Sequence, residues 1–250
     1  KTKDVQSLVQ KKTGLILDPY FSATKIKWIL DNVEGAREKA VNGDLCFGTV
    51  DTFLMYKLSN GKIFKTDYTN ASRTMLFNIH TLSWDQDLLK LFDIPESLLP
   101  EPVACDSKFG KIEFANNPEI NAVLGDQHAA LFGQNCLNKG QMKSTYGTGC
   151  FLMVNTGLKP INSQDGLLTT LAFHWQNNCH YALEGSIYSA GTTVQWLRDG
   201  LMLFKESKDC ENFLDKNFFT NNLIFIPAFN GLGTPFWNSE IRSSFHGITR

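Results

Sequence analysis

The sequence predicts an α/β protein, and three features of it carry that prediction. The apolar run 122–124, the polar string 125–128 and the apolar run 129–132 together indicate a buried strand that ends near a carboxylate and turns into a helix. Residues 144–151 indicate two strands joined by a tight Gly-Thr-Gly turn. Elsewhere, helical and strand-like apolar patterns alternate. Since open α/β sheets bind ligands at strand ends, we expect functional residues within 121–151.

Asp126 is the carboxylate at that strand end. It can act as a general base if a substrate proton comes within about 3 Å. It can equally be the N-cap of a helix over 127–133, because Asp is favoured at that position. The spacing alone favours neither interpretation.

The turn Gly147-Thr148-Gly149 also has two interpretations. Successive backbone N–H groups in such a turn can form an anion nest. A Gly-rich loop between two strands is more often an ordinary hairpin, which is the better interpretation of the turn by itself. A carboxylate about 20 residues before the turn changes that balance, because the pair suits proton abstraction beside a phosphate.

The first half of the chain carries several helix signals. Ile26, Ile29, Leu30 and Val33 recur at helical spacing after Ser22, which we expect to cap that helix. Asp85 is expected to cap another helix in the same way. The remaining predictions in this half are helices at 36–41 and 50–58 and strands at 63–66 and 108–114.

The second half begins after a polar break at 135–140, where we place a domain boundary. Strands are predicted at 167–175, 179–183 and 223–226. A helix is predicted at 187–203. Gly191 and Gln195 lie four residues apart in it and therefore share one face. The glycine allows another group to approach the helix closely, or it simply packs against a neighbouring helix. The loop 231–237 is interpreted as a packed corner.

Bulk properties exclude several classes of protein. A formal net charge of −1 gives no field that would attract nucleic acid. No apolar run approaches the ~18 residues of a membrane span, and the first residues do not form a signal peptide. Six cysteines without a CxxC pair argue against zinc and against a disulfide scaffold, so free thiols and a cytoplasmic protein are expected. A P-loop is also absent from the sequence.

Five strings resemble the FGGY carbohydrate kinases, and together they extend over essentially the whole chain. Within that family they are most similar to the members that phosphorylate glycerol. The strings lie at Tyr20–Asn32, Thr66–Asn78, Gly125–Gln127, Tyr146–Phe151 and Gln195–Asp199.

The resemblance implies an actin-like ATPase fold, which has two RNase-H-like α/β domains and a cleft between them. Residues 1–136 would be the C-terminal part of the first domain, and residues 137–250 the N-terminal part of the second. The chain ends on what looks like a strand in mid-course, and we expect it to be an internal piece of a longer protein. The family's first phosphate loop, its Arg-Glu contacts to glycerol and its adenine-binding motif have no counterpart in these residues, so this segment alone is expected to be inactive.

The resemblance also implies a reaction: transfer of the γ-phosphoryl group of MgATP to the 3-hydroxyl of glycerol. Asp126 matches the general base and a substrate contact, Gln127 and Tyr20 match contacts to glycerol hydroxyls, and Phe151 matches an aromatic residue against the glycerol carbons. The implied contacts to ATP are Thr148, Gly149, Gly191 and Gln195. Mg²⁺ would accompany the ATP, near Asp126. A homodimer or homotetramer is the implied assembly.

Two alternatives remain open. One is an FGGY kinase acting on a pentulose or another polyol, and the other is a non-catalytic actin-like module. Many bacterial members also carry a basic Gly-rich loop for fructose 1,6-bisphosphate before the Gly-Asp-Gln string. The corresponding span here, 113–121, has no Lys or Arg, so we expect no inhibition by that ligand through this loop.

Overall fold

The computed structural model describes residues 2–113, 116–213 and 222–249. The helices in these ranges are α1 Thr2–Thr13, α2 Ser22–Asn32, α3 Ala36–Val41, α4 Val50–Leu58, α5 Tyr68–Ala71, α6 Gln86–Phe92, α7 Asp126–Gly133 and α8 Gly191–Asp199. The strands are β1 Lys65–Asp67, β2 Phe77–Asn78, β3 Ser83–Trp84, β4 Glu101–Val103, β5 Gly110–Lys111, β6 Glu119–Ile120, β7 Met142–Tyr146, β8 Cys150–Gly157, β9 Leu168–Trp175, β10 Asn178–Ile187, β11 Ile224–Ile226 and β12 Ser244–His246.

The chain divides into two compact units. The first unit comprises residues 1–141, 154–162 and 168–183. The second unit comprises residues 142–153, 163–167 and 184–250. Strands β7, β8, β10 and β9 form a four-stranded sheet in that order.

The first unit contains the parallel strand pair β1 and β4, in which Lys65 lies opposite Glu101 and Asp67 opposite Val103. Parallel strands need a crossover connection, which here includes helices α5 and α6. The chain therefore alternates helices and strands in this unit, as the α/β prediction requires.

Large apolar side chains fill the core of the first unit. Phe77 is fully buried and meets Trp84 edge to face, with ring centroids 5.6 Å apart. On β9, residues 168–173 are all buried, and Phe173 meets Phe132 of α7 at 5.4 Å. These contacts anchor α7, whose first residue is Asp126, on β9.

The second unit contains an aromatic cluster. Phe225 and Phe245 stack at 4.3 Å across the antiparallel pair β11 and β12. Trp196 of α8 stacks on Phe225 at 5.5 Å and contacts Phe229 at 5.2 Å. The cluster therefore holds α8 against the β11–β12 pair.

Several local predictions are confirmed. Asp85 caps α6, because its side chain accepts hydrogen bonds from the backbone N–H groups of Asp87 and Leu88. The predicted helices at 36–41 and 50–58 and the hairpin around Gly147–Gly149 are present. The loop at 231–237 is a packed corner: the Trp237 indole N–H donates to the Gly166 carbonyl at 2.6 Å.

Other predictions are wrong in detail. Ser22 is the first residue of α2 and not its cap; the cap position is Phe21, which makes no side-chain capping bond. Helix α8 spans 191–199 and not 187–203, because Ile187 still belongs to β10. The strand expected at 108–114 is reduced to Gly110–Lys111, and Phe114 lies outside the described residues.

In the described ranges, every helix is too short or too polar to cross a lipid bilayer. All six cysteines lie in those ranges and are free thiols, as predicted. Burial raises the pKa of the Cys179 thiol to about 12, so it is protonated and unreactive at neutral pH.

Candidate active site

Asp126 and Gln127 are the first two residues of α7 in the first unit. The N-cap position of this helix is Gly125, so the cap interpretation of Asp126 is wrong. The Asp126 Oδ1 atom accepts a hydrogen bond from the Gln127 backbone N–H at 2.8 Å, and its side chain is exposed. The Asp126 Oδ2 atom accepts from the Gln127 side-chain amide at 3.3 Å, so Gln127 orients both oxygens of a carboxylate that stays exposed.

The start of α7 is held by a neighbouring helix rather than by its own cap. The Gly125 N–H donates to the Thr69 hydroxyl of α5 at 2.8 Å. A Cβ atom on residue 125 would lie 2.8 Å from the His128 Nδ1 atom, so a larger residue there would displace the His128 ring. Further along α7, His128 Nε2 lies 3.5 Å from the Thr170 hydroxyl of β9. The backbone before Asp126 is therefore closely confined.

Thr69 is in turn held by Asp67, which is fully buried at the end of β1. Asp67 Oδ2 accepts from the Thr69 N–H at 2.7 Å, from the Thr69 hydroxyl at 2.6 Å and from the Cys105 thiol at 3.1 Å. Asp67 Oδ1 accepts from the Asn70 N–H and from its side-chain amide. Burial raises the pKa of the Asp67 carboxyl, although the hydrogen bonds from Thr69 and Cys105 act in the opposite direction.

Asp126 borders a cavity of about 960 Å³ within the first unit. Ser22 and Asn70 contribute polar groups to the same cavity. Most of the remaining wall is apolar and comes from α4 and from residues 122–124. The volume falls in the usual range for small-molecule sites, and Thr49 and Asp51 add further polar groups at the start of α4.

Tyr20 lies in the turn before α2, and its side chain is 48% exposed. Its backbone N–H donates to Asp18 Oδ1 at 2.7 Å, and its ring meets the Phe21 ring edge to face at 5.2 Å. The Arg73 guanidinium lies 5.4 Å from the centre of the Phe21 ring. The Ala23 N–H donates to the carbonyl of the residue after Arg73 at 2.9 Å.

The polar segment at residues 66–74 therefore contacts both parts of the candidate site in the first unit. It holds the chain next to Tyr20 through Arg73, and the chain next to Asp126 through Thr69. The Thr66–Asn78 string resembles the family in sequence, but no role was predicted for Asp67 or Thr69. The signal that could have revealed them is a string of hydroxyl and amide side chains placed directly after a short strand.

In the second unit, the turn Gly147–Gly149 joins β7 to β8. The Gly147 N–H donates to the Gly149 carbonyl at 2.8 Å, so this amide is not available to an anion in the observed conformation. A Cβ atom on residue 149 would lie 2.5 Å from the Ile187 carbonyl oxygen and 3.3 Å from the Phe151 ring. Gly149 is thus required by packing, and Phe151 lies beside the turn.

The same turn caps the start of α8. The Gly191 N–H donates to the Gly147 carbonyl at 2.9 Å. The Thr192 hydroxyl donates to the Thr148 carbonyl at 3.0 Å, and the Ala190 N–H donates to that carbonyl at 2.9 Å. The Thr192 N–H also donates to the Thr148 carbonyl, at 3.3 Å, so carbonyl groups of the turn already satisfy the first two amides of α8. The side chains of Thr148 and Gln195 are exposed.

The structure thus divides the candidate site residues between the two units. The first unit holds Tyr20, Asp126 and Gln127, and the second holds the five others: Thr148, Gly149, Phe151, Gly191 and Gln195. Thr148 and Gly191 are brought together by the capping contacts of the turn. A cleft in which both groups would meet stays a prediction.

Among the described residues, no group of three or more His, Cys, Asp or Glu side chains is placed to hold a metal ion. A Mg²⁺ ion does not need one, because it binds through one or two carboxylates together with substrate phosphates. The exposed Asp126 carboxylate is a hard oxygen donor of that kind. The donor set is therefore compatible with magnesium delivered by a nucleotide.

The fold and the two groups of candidate residues define the class of this protein. A model of the N-terminal domain of the FGGY family of carbohydrate kinases matches residues 1–133, and a model of the C-terminal domain of that family matches residues 142–250. The chain belongs to the FGGY family of carbohydrate kinases.

Within that family, the chain is similar to glycerol kinases. It is 52% identical over 254 residues to the glycerol kinase of Bacillus cereus (strain AH187), in an alignment covering 100% of this chain and 51% of that protein. The glycerol kinase of Bacillus anthracis (strain A0248) gives the same values. Among solved structures, the Plasmodium falciparum glycerol kinase with ADP has a TM-score of 0.86 and 39% identity, covering 98% of this chain and 49% of that chain.

The gluconate kinase of Lactobacillus acidophilus has a TM-score of 0.82 at 22% identity and covers 99% of this chain and 50% of that chain. This likeness shows the fold alone. Together these matches confirm the predicted fold class, an α/β fold of the actin-like ATPase type. The chain spans about half the length of the relatives it matches.

Proposed function

We propose that the full-length protein is an ATP-dependent glycerol kinase, which transfers the γ-phosphoryl group of ATP to the 3-hydroxyl of glycerol to give sn-glycerol 3-phosphate. The observation that carries this proposal is the exposed Asp126 carboxylate at the start of α7, beside Gln127 and on the edge of a cavity. The 52% identity to bacterial glycerol kinases supports glycerol as the acceptor.

Asp126 acts as the general base in this proposal. It accepts the proton of the 3-hydroxyl as that oxygen attacks the γ-phosphorus, which requires the hydroxyl to come within about 3 Å. Gln127 and Tyr20 bind the other hydroxyls, and the Phe151 ring packs against the carbon atoms. Phosphoryl transfer depends mainly on positioning and on charge stabilisation, so the role of these side chains is to hold the acceptor in line.

The second unit binds the nucleotide in this proposal, through Thr148, Gly149, Gly191 and Gln195. The Thr148 side chain is exposed at the tip of the turn, which supports a contact to the phosphates. Because the Gly147 N–H is engaged by the Gly149 carbonyl, any anion contact falls to the later residues of the turn. Mg²⁺ bound with the ATP, near Asp126, would neutralise charge on the phosphates.

The proposal extends to the organisation of the protein. Residues 1–136 belong to the first domain of the family and residues 137–250 to the second. Closure of the two domains excludes water and so limits hydrolysis of ATP. The assembly is a homodimer or homotetramer, which sedimentation analysis of the full-length protein would establish.

The substrate is tested by comparing kcat/KM for glycerol, xylulose and dihydroxyacetone with ATP as the donor. We expect glycerol to be preferred by at least roughly tenfold, because hydrogen-bonding sites for substrate hydroxyls discriminate strongly among analogues. A preference for xylulose would assign the protein to a pentulose-specific branch of the family. Binding of ATP without turnover of any of the three would indicate a non-catalytic module.

A further inference from the structure

Asp67, Thr69 and Gly125 form a continuous chain of hydrogen bonds that ends one residue before Asp126. The Thr69 hydroxyl donates to Asp67 Oδ2 at 2.6 Å and accepts from the Gly125 N–H at 2.8 Å. Thr69 and Asp67 are both fully buried. Thr69 and Gly125 are 56 residues apart in the sequence, so this contact exists only in the folded unit.

The direction of these bonds is fixed by the chemistry of the groups. A backbone N–H can only donate, and the Thr69 N–H points to Asp67 Oδ2 at 2.7 Å, so that oxygen is an acceptor. The single hydroxyl proton of Thr69 is therefore directed to Asp67. An oxygen lone pair of Thr69 is then left to face the Gly125 N–H. Asp67 thus sets the orientation of the hydroxyl that holds Gly125.

The position of Gly125 governs the position of the Asp126 side chain. Gly125 occupies the cap position of α7 but has no side chain with which to cap the helix. Its carbonyl accepts the first helical hydrogen bond, from Ala129 at 2.7 Å. A change in the Gly125 torsions would rotate Asp126 relative to the rest of the unit, and misplacement by about 1 Å can lower a rate by roughly 100-fold.

We propose that Thr69 is a positioning residue for Asp126, which acts by accepting the Gly125 N–H while Asp67 holds its hydroxyl in the required orientation. The catalytic part of this inference rests on the proposed kinase function. The structural part does not, because it concerns only the hydrogen bond to Gly125.

The test compares three variants of the full-length protein. Thr69→Val keeps the shape of the side chain and removes the hydroxyl, whereas Thr69→Ser keeps the hydroxyl. Thr13→Val is the matched control, because Thr13 is also fully buried, donates to the Val9 carbonyl at 2.7 Å and accepts from the Leu15 N–H at 3.1 Å. Steady-state kinetics and amide hydrogen–deuterium exchange over residues 121–127 are measured for each variant.

We expect Thr69→Val to lower kcat roughly 10- to 100-fold, with KM for ATP within about twofold of the wild-type value. Exchange of the Gly125 amide proton should accelerate in the Thr69→Val variant and in neither of the other two variants. Thr69→Ser should restore kcat to within about threefold of wild type, and Thr13→Val should leave kcat and the exchange over 121–127 unchanged.

The inference is overturned if exchange at Gly125 is the same in Thr69→Val and wild type. It is also overturned if Thr69→Val keeps the wild-type kcat, or if Thr13→Val lowers kcat as much. A wild-type protein that does not phosphorylate any acceptor would contradict the proposed function instead. In that case, faster exchange in Thr69→Val still supports the hydrogen bond, and unchanged exchange still refutes it.

Discussion

A Cβ atom on residue 191 would lie 2.5 Å from the carbonyl oxygen of Gly147. The first turn of α8 therefore rests directly on the backbone of the Gly147–Gly149 turn, and the Gly191 N–H donates to that same carbonyl. Gly191 thus allows the helix to pack closely against the turn. This contact is one of several that hold together two segments of the proposed nucleotide site.

Gly191→Ala should separate α8 from the turn. We expect a loss of roughly 1–3 kcal/mol in stability, because the clash is with rigid backbone, together with weaker ATP binding. The matched control is Gly133→Ala, at a helical glycine with open space around the added methyl group. Thermal unfolding and ATP titration of both variants provide the measurement. Equal ATP affinity for Gly191→Ala and wild type would show that this contact does not contribute to nucleotide binding.

Asp126→Asn should abolish turnover while ATP binding is largely kept. The amide oxygen of Asn can still accept from the Gln127 N–H, so the local structure is preserved, but an amide cannot take the substrate proton. General-base catalysis contributes roughly 100- to 10,000-fold to a rate, and kcat should fall by that factor. Asp44→Asn, at an exposed position, is the control. Normal turnover in Asp126→Asn would rule out the base role.

Asp85 should make stability depend on acid pH. Burial acts to raise the pKa of the Asp85 carboxyl, but hydrogen bonds from Lys12 and Asn78 outweigh it and hold the pKa below the ordinary value. The unfolded chain therefore binds a proton more readily than the folded chain. The stabilisation is complete above the ordinary pKa of the carboxyl and is lost as pH falls towards the lowered value.

This dependence can be measured by urea unfolding at neutral and acid pH. Asp85→Asn keeps a residue that caps α6 but loses the ion pair with Lys12, whose Nζ lies 2.7 Å from Oδ1. At neutral pH the variant should be less stable than wild type by roughly 1 kcal/mol, in the range of a cap or a partly buried ion pair. The difference should shrink at acid pH; a constant difference would contradict the assignment.

Fructose 1,6-bisphosphate should not inhibit the full-length protein through residues 113–121. This span has no Lys or Arg to pair with phosphates, and its residues Glu119 and Ile120 form β6, which pairs with β5. Phe114 and Ala115 lie outside the described residues. Initial rates across a titration of the bisphosphate should stay constant. Strong inhibition that disappears when Asn116 and Asn117 are changed would overturn the prediction.

Local sequence signals predicted several elements, but the buried strand expected at 122–124 is wrong: these residues form no strand, and their side chains are exposed or half-buried. The Asp85 cap, α4 and the hairpin at 147–149 were predictable because each depends on residues a few positions apart. The end of α8 was not predictable from apolar spacing alone. The chain stops being helical after Asp199, where Gly200 follows and Met202 adopts a positive φ of 55°.

The sequence by itself determined the α/β class, the family and the identity of the candidate residues, because motifs and apolar periodicity are properties of neighbouring positions. Only the tertiary structure decided what holds those residues in place. It put Gly125 rather than Asp126 at the cap of α7 and brought Thr69 to the Gly125 amide. A hydrogen bond between residues 56 positions apart leaves no periodic trace in the chain, since it depends on how α5 and α7 pack on β9.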